Sequence, residues 1–167
     1  VVSRLDAPAA GAAASPANPH ANVDMTAAPL VAGGASADPA PYAAARQRAE
    51  QLRVARRFPE ARDAYAELTR LAPRDADAWA DLADASAAAA GGDLERGAAA
   101  LAQALALAPR HPKALWLQAS LELQRRRFAA AATLWEQLLA VVPPGSNDAR
   151  IVRANLDEAR SLERGVR

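Results

Sequence analysis

The chain has no cysteine, which excludes disulfide staples, thiolate catalysis and thiolate-bound metal together. Lysine is almost as scarce: of 20 basic residues, all but Lys113 are arginine. Basic and acidic residues nearly balance, 20 against 19, for a formal charge of +1. No large field therefore exists to draw in nucleic acid or an anionic membrane. Aromatics make up only 4% of the 167 residues, and strand-favouring residues never alternate over a useful run, so sheet is not expected. No stretch approaches the roughly 20 consecutive apolar residues that span a bilayer. A Gly-rich phosphate loop, a metal-ligand spacing and a nucleophile–base pair are also missing. Carboxylates such as Asp81/Asp84 and Asp157/Glu158 stand at helix-surface spacing beside arginines, an ordinary solvated pattern. No enzyme activity and no cofactor are expected from such an inventory.

What the chain does have is alanine, 49 residues of it, a side chain that favours helix and lets helices approach closely. Its distribution divides the chain. Residues 1–40 hold 14 Ala, 5 Pro and 3 Gly with four charges and no aromatic. The recurring prolines stop helix propagation, and the segment cannot bury enough surface to offset its ordering entropy. A flexible linker or tail is expected there. His20 and Met25 lie in it, and as haem ligands they would need a fixed scaffold that is not expected. The chain opens Val1-Val2 without methionine, as a processed or excised piece would, and such processing could have removed an upstream signal or membrane anchor.

From Pro41 a period emerges. "EARDAYAELTRLAP" ends at Pro73, "RGAAALAQALALAP" at Pro109 and "AAAATLWEQLLAVVP" at Pro143. Phe58, Leu94 and Phe128 each stand three residues before the first small residue of their block. Each unit reads as helix, turn, helix, proline. The 34-residue tetratricopeptide (TPR) pattern fits these units. With the prolines at repeat position 32, position 20 falls on Ala61, Gly97 and Ala131, position 24 on Tyr65, Leu101 and Trp135, and position 27 on Leu68, Ala104 and Leu138. Trp79, Leu82 and Ala83 take positions 4, 7 and 8 of the second repeat, and Gly91-Gly92 interrupts it. The expected fold is all-α: a TPR-type solenoid of helical hairpins over 41–165, three repeats plus a C-terminal capping helix. Helices are expected at 41–55, 58–71, 76–90, 93–107, 112–125, 128–141 and about 147–164. Asp75 and Ser146 serve as N-caps, and Pro59 and Pro112 fall in first turns. The last helix carries Val152, Leu156, Ala159 and Leu162 on one side, as a terminal cap needs.

In a TPR stack, repeat positions 2, 5, 9 and 12 line a concave groove. Here they are Ala43, Arg46, Glu50 and Arg53, then Asp77, Ala80, Asp84 and Ala87, then Lys113, Trp116, Ser120 and Leu123. A small, apolar middle with charged edges is expected, suited to an amphipathic helix laid in the groove. Trp79 and Trp135 read as packing between paired helices. Trp116 is open between groove anchor and core, because the fifth helix is apolar almost all round. The Arg56-Arg57 pair and the Arg125–Arg127 run occupy the same intra-repeat turn, either as solvated turns or as an anionic docking point. His111 reads as a helix-start residue. A basic clamp for a C-terminal carboxylate is not expected: Glu50, Asp81 and Leu117 stand where such clamps carry other residues, and only Lys113 agrees.

The stretch from "HPKALWL" through "LWEQLL" and "PPGS" to the final "AR" resembles the C-terminal TPR region of the CcmI/CycH cytochrome c-type biogenesis proteins and the related NrfG subunit. The resemblance covers about residues 60–162. It implies a periplasmic module that captures the C-terminal helix of an apocytochrome c and presents it to haem lyase subunits, haem itself being handled by other proteins. That family's usual N-terminal membrane segments have no counterpart here, and Ala119 stands where glycine is commoner. A generic envelope TPR adaptor for another assembly is the alternative.

Overall fold

The structure, a computed structural model, describes residues 39–165. All but the last two residues of the segment read as a tail lie outside that range, and so do His20 and Met25. Pro39 and Ala40 already belong to the first helix. Seven helices follow one another: α1 (Pro39–Val54), α2 (Phe58–Leu71), α3 (Ala76–Ala89), α4 (Ala98–Leu107), α5 (Pro112–Gln124), α6 (Phe128–Leu139) and α7 (Asn147–Gly165). A 3₁₀ turn, Leu94–Gly97, opens into α4; a single helix was expected from residue 93. Each helix packs on the next in chain order, and α3 also touches α5. This is the hairpin solenoid read from the sequence, with α7 as its terminal cap.

Local chemistry sets the boundaries. The Asp75 carboxylate accepts from the N–H groups of Asp77 and Ala78 and so caps α3, and the Ser146 hydroxyl accepts from Ala149 N at the start of α7. Pro59 and Pro112 sit in first turns, where a missing N–H costs nothing. The three odd-numbered helices of the repeats end alike. Arg57 N donates to Leu52 O at 2.9 Å, Gly92 N to Ala87 O at 2.8 Å and Arg127 N to Glu122 O at 2.8 Å. These are 6→1 closures that need a left-handed residue just before the donor. Gly91 supplies it at φ 69°, while Arg56 and Arg126 adopt it at φ 58° and 59°. Arginine has a Cβ, so the first and third turns carry strain that the second avoids.

Three clusters of buried side chains follow the three repeats. In each, small residues at positions 8 and 20 are buried: Ala49 with Ala61, Ala83 with Gly97, and Ala119 with Ala131. The tightest approach is at Gly97, where a Cβ would lie 2.9 Å from the Ala83 carbonyl carbon and closer still to its oxygen. Between these small contacts, Tyr65, Leu68, Leu101, Trp135 and Leu138 supply the volume, each at most 2% exposed. Val152, Leu156 and Ala159 of α7 close the third cluster; Leu162, expected on the same buried side, is 41% exposed.

Two substitutions test this packing. Gly97→Ala is expected to destabilise by about 2–3 kcal/mol in denaturant unfolding, since the new methyl meets backbone that cannot yield. Arg56→Gly, which relieves the left-handed strain, should instead stabilise by ~0.5–1 kcal/mol. A loss of stability there would mean that the Arg56 side chain supports the fold.

Candidate peptide-binding groove

Helices α1, α3 and α5 are the first members of the three hairpins, and one repeat period carries a side chain laterally onto the neighbouring helix. Tyr42 OH donates to Asp75, 33 residues on. His111 Nε2 lies 2.8 Å from Asp77 Oδ1, 34 residues back. Lys113 Nζ donates to Asp81 Oδ1 at 2.8 Å and stands 3.0 Å from Asp84 Oδ2. Asp81 is shared, because Arg46 Nη2 lies 3.5 Å from its other oxygen. On α1, Arg53 grips both oxygens of Glu50 at 2.6 and 2.9 Å, and Tyr65 OH from α2 donates to Glu50 at 3.0 Å. A polar ladder thus crosses the three helices.

The neutral tautomer of His111 is dictated by its partners. Its Nδ1 accepts from Ala114 N, capping α5, so the proton must sit on Nε2 and point at Asp77. The helix-start role read from the sequence is therefore joined by a second one, in the ladder. The hydrogen bond from His111 holds Asp77 below the usual carboxylate range. Burial opposes the charge on Lys113, but Asp81 and Asp84 outweigh it and hold the ammonium above its ordinary value. Both phenols are pushed up, Tyr42 by burial and then by Asp75 to about 12, and Tyr65 by burial and then by Asp81 and Glu50.

The residues expected to line the groove divide into two sets. Arg46, Glu50, Arg53, Asp77, Asp84 and Lys113 lie on the helices of the ladder and take part in it. Ser120 is half-buried further along α5, and Ala43 is exposed on α1. Ala80, Ala87 and Trp116 must be corrected to core: they are 0%, 4% and 4% exposed. The two alanines are too short to reach past the flanking helices. Trp116 packs edge-to-face on Trp135 with centroids 4.8 Å apart, filling volume that an alanine-rich core lacks. Leu123 leans onto the same cluster and is only partly buried. The expected apolar middle is consequently replaced by the Lys113–Asp81–Asp84 contacts.

Sequence reasoning left out of the site five residues that the ladder uses: Tyr42, Tyr65, Asp75, Asp81 and His111. The signal was available for two of them. Asp81 shares a helical face with Asp77 and Asp84 at spacings of four and three, and Tyr42 precedes Asp75 by one repeat.

Most of the turn arginines are exposed, and most are paired within the domain. Arg125 pairs with Glu95 at 2.6 and 2.8 Å and with Glu122 at 3.0 Å, Arg127 lies 3.5 Å from Glu122, and Arg57 pairs with Glu60. Gln124 secures the Gly91-Gly92 loop by donating to Gly92 O at 2.9 Å and accepting from Leu94 N at 3.2 Å. Among the described residues no cluster of His, Cys, Asp and Glu could hold a metal, and no helix is long and apolar enough to cross a membrane.

The tetratricopeptide repeat family model matches residues 82–149 and, in a second overlapping placement, 117–164. The chain is a tetratricopeptide repeat protein. No curated protein sequence matches it significantly. Among solved structures, the TPR2B domain of yeast Sti1 in its complex with pHsp70 is similar. It superposes with a TM-score of 0.63 at 22% identity, over 72% of this TPR chain and 96% of that one. The TPR2AB domain of Sti1 in its complex with pHSP90 gives 0.64 at 21%, over 74% of this chain and 48% of that one. At such identities the likeness concerns the fold, and the groove chemistry must come from this chain's own residues.

The ladder makes a spectroscopic prediction. Tyr42 and Tyr65 are the chain's two tyrosines, and each is neutral in a hydrogen bond to a carboxylate. Native protein should therefore show no phenolate absorbance step at the ordinary value of 10, whereas the denatured chain should. The unfolded state loses phenol protons first, so stability should fall as pH rises above about 10. A native titration midpoint at the ordinary value would mean that the tyrosine–carboxylate bonds are absent in solution.

Proposed function

We propose that this TPR domain is a polypeptide-binding module whose site is the face formed by α1, α3 and α5. The observation that carries the reading is the ladder itself. Polar side chains from three parallel first helices converge on one face, and they are held in place by one another rather than by the core. Such a pre-organised surface lowers the ordering cost of binding. The Sti1 TPR domains, which share the fold, are found in complexes with pHsp70 and pHSP90, and this supports a role in holding a segment of another protein.

The finer reading rests on the sequence resemblance over residues 60–162. It is that the partner is the C-terminal amphipathic helix of an apocytochrome c, held during cytochrome c maturation in the periplasm beside haem lyase subunits. A generic envelope adaptor shares the groove but has a different partner.

Fluorescence anisotropy with a labelled C-terminal helix peptide from a c-type cytochrome tests both levels. Ser120→Arg and Asp77→Ala should each weaken binding about tenfold, ~1.4 kcal/mol, without changing helical circular dichroism. Trp116→Ala should act differently, costing ~3–5 kcal/mol of folding stability because it empties the third core. Unchanged affinity in both groove variants would remove the site from this face. If the cytochrome peptide fails while unrelated amphipathic helices bind and respond to the variants, the adaptor reading stands instead.

A further inference from the structure

We infer that the α1/α3/α5 groove selects a basic segment, one whose Lys or Arg side chains meet Asp77 and its neighbours, and discriminates against acidic tails. This rests on the reading above that the face holds a polypeptide. The helical wall and its α3 cap carry five carboxylates, Glu50, Asp75, Asp77, Asp81 and Asp84, against three cations, Arg46, Arg53 and Lys113. All three cations are committed. Arg53 is bidentate on Glu50, Arg46 reaches Asp81, and Lys113 is shared between Asp81 and Asp84.

Two carboxylates are held by side chains other than lysine or arginine. Asp75 accepts from the Tyr42 phenol, and Asp77 accepts from His111 Nε2–H. The Asp77 side chain is 66% exposed, whereas those of Asp81 and Asp84 are 16% and 26% exposed. Its carboxylate is oriented by His111, and Arg46 and Lys113 reach it only as more distant charges, so it can take an incoming ammonium or guanidinium without displacing a partner. An incoming carboxylate fares worse, because it would have to pull Lys113 away from two aspartates and leave them facing each other. Arg74 and Arg110 are exposed in the flanking turns, outside this helical wall.

The solenoid fold alone does not decide this sign; the pairing of Lys113 does. The same fold occurs in the Sti1 domains at 22% and 21% identity, a level that leaves groove charges free to differ.

Three labelled amphipathic peptides with one shared apolar face, and Lys, Gln or Glu on the polar face, provide the test by anisotropy with the full chain. The Lys peptide should bind about tenfold more tightly than the Glu peptide, with Gln between, and the gap should close in about 0.5 M salt as screening sets in. Asp77→Asn keeps an oxygen for His111 and removes the charge, so it should reduce the Lys preference severalfold with helical content unchanged. Asp84→Asn serves as a second variant should Asp77→Asn disturb α3. Equal or tighter binding of the Glu peptide would overturn the charge selection and leave the polypeptide-binding reading intact. A Lys preference that neither variant alters would also overturn it, by placing the cation elsewhere. Binding by none of the three peptides would sink the polypeptide-binding reading itself.

Discussion

The close contact of small residues between the two helices of each hairpin is the constraint on which the rest of this structure depends. Ala49 and Ala61, Ala83 and Gly97, and Ala119 and Ala131 are all buried at the same repeat positions. At Gly97 the approach is so tight that no Cβ fits against the Ala83 carbonyl. Helices this close leave little room between them, which is why alanine recurs so often among the buried residues. The remaining volume is then supplied by a few large side chains, among which Tyr65, Leu101 and Trp135 occupy one repeat position in turn. A core of this kind is sparse in dispersion contacts per residue, and each large member matters accordingly. Trp116 is drawn into the third cluster for that reason.

The same close pairing brings first helices of successive hairpins near enough for their side chains to bond across one period. Tyr42 to Asp75, Asp77 to His111 and Asp81 to Lys113 are separated by 33, 34 and 32 residues. The groove is therefore a consequence of the repeat, but its chemistry is not. One lysine between two aspartates, and an aspartate oriented by a neutral histidine, give this face a surplus of negative charge. The solenoid supplies a surface, and the few residues that project past the helix backbones decide its charge.

Much of the fold was legible because its determinants are local and repeated. Pro73, Pro109 and Pro143 mark the period, Asp75 and Ser146 cap the helices that the sequence places after them, and Gly91-Gly92 ends α3. Errors at helix ends amount to a residue or two, as when α1 begins at Pro39, except that α4 starts five residues later than expected, at Ala98, behind a 3₁₀ turn. The site was legible in part. Arg46, Glu50, Arg53, Asp77, Asp84 and Lys113 were named from repeat positions and do meet in the ladder. Ala80, Ala87 and Trp116 were named by the same rule and are core. Repeat position indicates which way a Cβ points, whereas exposure depends on side-chain length and on how closely neighbouring helices crowd it.

The sequence by itself determined the helices, their order, their pairing and the small residues that allow it, because these follow from propensity, caps and a period of about 34 residues. Tertiary structure alone decided the direction of Trp116, the second role of His111 and the sign of the groove. Each depends on which of several chemically acceptable partners lies within bonding distance. Lys113 has acidic candidates throughout the chain, and only the lateral placement of α3 against α5 brings Asp81 and Asp84 to its ammonium. Hydrogen bonds and ion pairs act over ångströms, and no one-dimensional pattern resolves distances that fine.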